Sequence, residues 1–321
     1  MLPTPSKFCA GMRYLGIKTG DHIVCYDTMG FWMTARGAWM LKVYGHENVS
    51  LLNGGLPAWK AAGYPTESGP VPAVERSDYP YALPEKSLIK EYEDLEVLNK
   101  NPERRVLIDA RPPNEYTDGH MPHSVPLPFF GLMRLPDPPA AAHDSEQSQS
   151  VNGEDWLEAS ERAMNDRQGG AKGRTWFELL PREEWEAVVR GVLGDNTVTD
   201  LVEGKNEGRE VVVTCGWGIL ACGLWLTLGQ LGVPVSVYDE SWEGYELRPG
   251  NPIMKGGVVA QPPQYEAVPT SPSSHAPTIG LSEVAAGTTT GKLSFQEIQI
   301  KLDDLEDDGT PDVGEVSAKT T

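Results

Sequence analysis

The chain predicts an α/β protein of two related domains, each built on a central parallel sheet flanked by helices. Three observations carry that expectation. Short β-branched runs alternate with longer apolar segments rich in helix formers, the pattern of strands joined by crossover helices. One block of elements occurs twice: the order of strand, helix holding a tryptophan, second strand and a further tryptophan-bearing segment at residues 22–62 recurs at 211–242. Within the two copies Trp39 precedes Val49, and Trp225 precedes Val235, by the same separation. The length of 321 residues suits two domains, and an apolar content of 39% is enough for an ordinary core.

In chain order, residues 22–26 (His-Ile-Val-Cys-Tyr) read as a strand ending at Asp27. A helix is expected over 34–44, with Trp39, Met40 and Val43 on a buried face, then a strand over 49–52. The turn Asn53-Gly54-Gly55 leads to a short helix over 56–62, closed by Gly63. Residues 65–84 are rich in proline and carry no periodicity, so the first domain is assigned to 1–68 and the linker to 69–84. An amphipathic helix is expected over 87–98 with Ser87 as its cap, then a strand over 106–108 running into Asp109-Ala110-Arg111. Residues 134–175 read as a disordered surface insertion with a helix expected over 156–164, and 181–193 as a helix with Pro181 at its start. The second domain spans 85–260, and 261–321 is expected to be a disordered acidic tail.

Residues 211–222 (Val-Val-Val-Thr-Cys-Gly-Trp-Gly-Ile-Leu-Ala-Cys) carry the chemistry. The β-branched run is the end of a buried strand, and the apolar run from Ala221 is a buried helix. Between them Cys215 sits on a short loop with Gly216 and Gly218, which let successive N–H groups turn toward one atom. The helix that follows adds roughly half a unit of positive charge at its N-terminus. A thiol so placed is expected to ionise at a lowered pKa, in the range of about 3.5 to 7.5. That is the setting of an activated thiolate nucleophile.

The loop Cys215-Gly216-Trp217-Gly218-Ile219-Leu220-Ala221 resembles the active-site loop of rhodanese-type sulfurtransferases. It is closer to the mercaptopyruvate branch, Cys-Gly-Ser-Gly-Val-Thr-Ala, than to the thiosulfate branch, Cys-Arg-Lys-Gly-Val-Thr-Ala. A distant stretch matches the same family. Asp109-Ala110-Arg111 resembles its Asp-Ala-Arg signature, and Gly119-His120-Met121-Pro122-His123-Ser124 its Gly-His-Ile-Pro-Gly-Ser signature.

The resemblance implies two rhodanese-like domains, the first inactive. The repeat places Asp27 at the position of Cys215, so the first domain lacks the nucleophile. Only 26 residues precede Asp27, so the first domain is expected to be incomplete at its N-terminal side, a truncated or mis-started chain. Met1-Leu2-Pro3 resembles an internal His-Met-Leu-Pro motif of the family. The implied activity moves a sulfane sulfur from thiosulfate or 3-mercaptopyruvate to an acceptor thiol or cyanide, through a persulfide on Cys215. The loop residues 216–221, Arg111 and Glu115 would line the substrate site. The implied partners are a small anionic donor and an acceptor such as thioredoxin, glutathione or a sulfur-carrier protein, and the implied location is mitochondrial or cytoplasmic. No metal or organic cofactor is needed.

Several residues have plainer readings. For Asp109 and Arg111 a buried ion pair bracing the loop is favoured, and for His120 a loop-fixing hydrogen bond. Cys222 is favoured as a packed core cysteine over a resolving thiol. Where the family carries a donor-gripping arginine this chain has Glu115, and the segment holding a second such arginine is missing between Tyr116 and Gly119. Trp217 and Leu220 replace polar loop residues. A catalytically weak docking or sulfur-relay protein is therefore the alternative reading: an open, positive pocket over Cys215 would favour the enzyme, and a mouth plugged by Trp217 the relay. A cysteine-based phosphatase would need an arginine six residues after the cysteine, where Ala221 stands.

The formal charge of −19 argues against nucleic-acid partners and anionic membrane surfaces. Four irregularly spaced cysteines do not form a secreted disulfide framework, and no apolar run reaches membrane-spanning length.

Overall fold

The computed structural model describes residues 2–134, 176–205 and 208–257, together with the strand Thr278–Gly280. The chain opens with α1 (Pro5–Tyr14), followed by β1 (Ile23–Cys25), α2 (Thr34–Val43), β2 (Val49–Leu52) and α3 (Gly55–Ala61). β1 and β2 pair in parallel, with Ile23 opposite Val49, as a strand–helix–strand crossover requires. β1, α2, β2 and α3 lie within one residue of the limits expected from sequence, whereas α1 was not anticipated.

The second half supplies β3 (Ile89–Lys90), α4 (Tyr92–Asn99), β4 (Arg105–Asp109), α5 (Pro113–Asp118) and β5 (Ser124–Pro126). After β6 (Met133–Arg134) come β7 (Glu178–Leu179), α6 (Arg182–Leu193) and α7 (Asp195–Val202). β8 (Glu210–Thr214), α8 (Ile219–Gln230), β9 (Val235–Tyr238) and α9 (Ser241–Glu246) close the unit. Five strands form one parallel sheet in the order β3-β9-β8-β4-β5. β8 lies at its centre, so Val211, Val212 and Val213 are covered on both faces and are at most 3% exposed.

One expectation fails between residues 87 and 98. Ile89 pairs with Val237, which holds the backbone extended and postpones the helix to Tyr92. Ser87 is therefore not its cap. Glu91 is, and its N–H donates to the Asp94 carboxylate at 2.9 Å, half of a capping box.

α8 is apolar all round because it is buried on nearly every side. It packs against β8 and β9 and against α2 of the first domain. Ala38 and Trp39 on α2, and Ala221, Cys222, Leu224 and Leu228 on α8, are wholly buried. The two domains thus share one continuous core. Gly223 makes the closest approach possible, since a Cβ there would lie 2.2 Å from the Phe129 ring.

The segment expected to be a disordered tail contains β10 (Thr278–Gly280), which pairs antiparallel with β2, Thr278 opposite Leu52. The backbone groups on the outer edge of β2 recruit it. The first sheet then has the order β1-β2-β10. The helix expected over 156–164, and the acidic cluster of the tail, fall outside the described residues. No described helix is long and apolar enough to cross a membrane.

Candidate active site

Cys215 follows β8 directly, and Asp109 ends the neighbouring strand β4, so both stand at the carboxyl edge of the parallel sheet. α/β sheets place ligands at this edge. The Ala110 N–H donates to the Thr214 carbonyl at 2.8 Å, which carries the pairing of the two strands up to the site.

The loop is held from behind by α9. The Cys215 N–H donates to Ser241 Oγ at 3.2 Å, and the Cys215 carbonyl accepts the Trp242 N–H at 2.8 Å. The Gly216 carbonyl accepts the Glu243 N–H at 3.1 Å. Ser241 keeps a left-handed backbone (φ 56°), and its hydroxyl also donates to the Tyr238 carbonyl at 2.9 Å. A non-glycine residue held there costs of order 1 kcal/mol or more, which its hydrogen bonds offset. Gly218 turns the loop into α8 with φ 75°. Any side chain there would be strained, and its Cβ would meet the Asp239 carbonyl oxygen at 2.8 Å.

This geometry points the backbone N–H groups of Trp217, Leu220 and Ala221 at the Cys215 sulfur, as the glycine spacing predicts. The expected low pKa does not follow. Cys215 is 1% exposed, and burial pushes its thiol above the ordinary cysteine value, with the Asp109 carboxylate adding to the rise. The three amides oppose that shift without overcoming it. The cradle therefore favours an anionic sulfur that burial disfavours. The Trp217 side chain is 59% exposed, so most of the indole faces solvent.

The same cradle occurs in the first domain, already filled. Asp27 Oδ1 accepts the Met29 N–H at 2.8 Å. Its Oδ2 accepts the N–H groups of Trp32 (2.9 Å), Met33 (2.9 Å) and Thr34 (3.2 Å) and the Thr34 hydroxyl (2.7 Å). The Asp27 carbonyl accepts the Leu56 N–H at 2.9 Å, just as the Cys215 carbonyl accepts that of Trp242. The repeat in the sequence identifies the equivalence. The acceptor role of the carboxylate was missed, although an aspartate before a loop that ends in threonine is its signal.

Arg111 is 2% exposed and Asp109 is wholly buried. The guanidinium donates to both carboxylate oxygens, through Nε at 3.1 Å and Nη2 at 2.7 Å. It also reaches the Gly119 carbonyl at 2.8 Å and lies 4.3 Å from the centre of the Trp242 ring. With its donors turned inward, Arg111 braces the loop. Glu115 stands in the first turn of α5 with its side chain reaching solvent. Partial burial raises its pKa; Arg111 opposes the rise and Asp109 adds to it. His120 Nδ1 hydrogen-bonds the Tyr116 carbonyl at 2.9 Å and its ring stacks on Tyr116, the loop-fixing role expected of it. Cys222 is wholly buried, donates to the Gly218 carbonyl at 3.1 Å, and has its pKa strongly raised by burial, as befits a core thiol.

Sequence reasoning also missed Arg36, which reaches the loop from the first domain. It pairs with Asp239 at 2.6 Å and donates to the Gly218 carbonyl at 3.3 Å. Asp239 in turn accepts the Leu2 N–H at 2.8 Å. Nothing local in the sequence marks a contact between residues this far apart. Among the described residues no group of three or more His, Cys, Asp or Glu could hold a metal ion.

Comparison with known proteins places this architecture. Residues 9–62 match the family model of the rhodanese-like domain. The chain is 31% identical to the thiosulfate sulfurtransferase of Rattus norvegicus, over 77% of this chain and 70% of that one. It is 28% identical to the 3-mercaptopyruvate sulfurtransferase of Escherichia coli, over 79% of this chain and 75% of the relative. The thiosulfate/3-mercaptopyruvate sulfurtransferase 1 of Arabidopsis thaliana, a mitochondrial protein, is 28% identical over 79% of this chain, which spans 61% of its length. The crystal structure of SseA from Escherichia coli superposes with a TM-score of 0.53 at 24% identity, covering 75% of this chain and 74% of that one, and supports the fold. The chain belongs to the rhodanese-type family of thiosulfate and 3-mercaptopyruvate sulfurtransferases.

Proposed function

We propose that this chain is a sulfurtransferase that carries sulfane sulfur on Cys215. The observation that supports this most is the convergence of three backbone N–H groups on the cysteine sulfur at the carboxyl edge of a parallel sheet. With thiosulfate as donor, the Cys215 thiolate attacks the outer sulfur, the S–S bond of the donor breaks, and sulfite leaves with the electron pair. With 3-mercaptopyruvate, the Cys215 thiolate attacks the donor sulfur, the C–S bond breaks with its electron pair leaving as the enolate of pyruvate, and the proton of the donor thiol ends on that carbon, giving pyruvate. In both cases the product is the Cys215 persulfide. An acceptor thiolate then attacks its outer sulfur, regenerating the Cys215 thiolate and forming the acceptor's persulfide; cyanide would leave as thiocyanate. The amides that cradle the sulfur stabilise negative charge in each state and need little rearrangement between them. No metal or organic cofactor enters these steps.

The test is to incubate the chain with each donor and measure intact mass, sulfide release from mercaptopyruvate and thiocyanate formation from thiosulfate with cyanide. A gain of one sulfur mapped to Cys215 supports the proposal; added sulfur on another residue overturns it. A second reading, a relay or docking domain of weak turnover, is favoured by the burial of Cys215 and its raised pKa.

Glu115 and Trp217 separate the two readings. Two unit charges about 4 Å apart at an effective dielectric near 20 interact by roughly 4 kcal/mol. Solvent exposure of Glu115 reduces this to about 1–2 kcal/mol, or roughly tenfold in donor affinity. Glu115→Arg is expected to lower KM for thiosulfate or mercaptopyruvate by about that factor while the alkylation rate of Cys215 changes little. Trp217→Ser is expected to add to it by restoring a hydroxyl on the loop. A double variant with no gain in donor turnover makes the relay the better reading.

A further inference from the structure

Three arginines near the Cys215 loop are each held in an ion pair. Arg111 is paired with Asp109 at 2.7 Å, and Arg36 with Asp239 at 2.6 Å. Arg248, one turn beyond the loop's support on α9, is paired with Glu240. Two carboxylates beside the loop are exposed and lack an ion pair among the described residues. Glu243 is tied to the loop through its own N–H, which donates to the Gly216 carbonyl at 3.1 Å. Glu115 lies on α5 at the edge of the Asp109–Arg111 pair, and Arg111 reaches its backbone carbonyl at 3.5 Å. The exposed indole of Trp217, on the loop that Glu243 supports, offers a ring face that attracts cations. The field of a chain with a formal charge of −19 has the same sign.

We propose that Glu115 and Glu243 are specificity-determining residues that select a neutral or cationic thiol, over an anionic one, as the sulfur-exchange partner of Cys215. The inference rests on Cys215 as the reactive thiol and adds the charge of what reacts with it. In the exchange, an aminothiol or a cysteine in a basic segment attacks the outer persulfide sulfur as its thiolate. Its separate positive charge offsets the two carboxylates, whereas an acidic thiol such as glutathione brings a further negative charge toward them. Lys255, exposed beside Gly256, whose N–H donates to the Thr117 carbonyl at 2.8 Å, opposes this field.

The test uses three methanethiosulfonates that differ in charge: the aminoethyl (cationic), methyl (neutral) and sulfonatoethyl (anionic) reagents. Each forms a mixed disulfide with the thiolate and releases methanesulfinate. Modification of Cys215 is followed by fragment mass spectrometry in the full chain at low salt, with a free cysteine peptide as reference. The ratio of cationic to anionic rates is expected to exceed that of the peptide by about tenfold, to fall to about threefold in Glu115→Gln/Glu243→Gln, and to collapse near 1 M salt, where the Debye length is about 3 Å. The rate with the neutral reagent is the internal reference for loop integrity. A ratio equal to that of the peptide, or one that the double variant leaves unchanged, overturns the proposal alone. Failure of the neutral reagent to modify Cys215 overturns it together with the sulfurtransferase reading. On the persulfidated protein, cysteamine is expected to outpace 3-mercaptopropionate after correction for thiolate fraction. A peptide of two lysines on each side of a cysteine then distinguishes a basic protein segment from a small aminothiol: a rate above that of cysteamine indicates the segment, a lower one the small thiol.

Discussion

Replacing Cys215 by serine is expected to abolish sulfur transfer, with a loss of at least about 10⁴-fold, the scale seen when a covalent nucleophile is removed. The serine hydroxyl would occupy the same cradle of three amides, which can donate to its oxygen, so the fold should survive and the melting temperature should move little. Neither of the wholly buried cysteines elsewhere should take over. Cys9 accepts the Ala82 N–H at 3.3 Å, and Cys222 lies against α2 with a strongly raised pKa. Cys25, on β1, is pushed up to about 11 by burial alone. None has backbone amides converging as Cys215 does. Activity and thermal melting measured on the same sample decide the matter: transfer that persists in a folded Cys215→Ser protein removes Cys215 from the mechanism.

The second large effect is expected at Arg111. Substituting methionine leaves the wholly buried Asp109 carboxylate without its guanidinium, and breaking one side of a buried pair costs about 3–5 kcal/mol. The Gly119 carbonyl loses a donor and the Trp242 ring loses the cation stacked on it. Because the Trp242 N–H holds the Cys215 carbonyl, the loop should loosen as well, and transfer should fall with stability. The double variant Asp109→Asn/Arg111→Met removes both charges and should recover much of the loss, since uncharged groups of similar size tolerate burial far better. Denaturant unfolding of the three proteins tests this directly. If Arg111→Met unfolds at the same midpoint as the parent, the pair is not the brace of this loop.

The elements that position the site were legible because their sequence determinants are local. β8 is a run of valines, and α8 is apolar for three turns. The doubled block revealed two domains and set Asp27 against Cys215. What the sequence did not disclose depends on contacts between distant segments. Ile89 and Lys90 carry little intrinsic strand signal and are extended because β9 lies beside them. Thr278–Gly280 is a strand only through the free edge of β2. The ionisation of Cys215 was misjudged for the same reason: the amides are visible in the glycine spacing, whereas the burial that outweighs them comes from the packing of α8 between two domains. Arg36 reaches the loop across the domain boundary, so no reading of one domain alone could place it there.

The filled cradle at Asp27 also separates the two loops in time. The amides of Trp32, Met33 and Thr34 hold a charge tethered by a covalent chain, so their acceptor never departs. Those of Trp217, Leu220 and Ala221 face a sulfur whose charge and bonding change with each reaction cycle. Hydrogen exchange is expected to be faster at those amide protons when the sulfur is neutral than at the amides bonded to Asp27. Within one chain the Asp27 loop is therefore a permanent copy of the occupied state, against which the Cys215 loop can be compared.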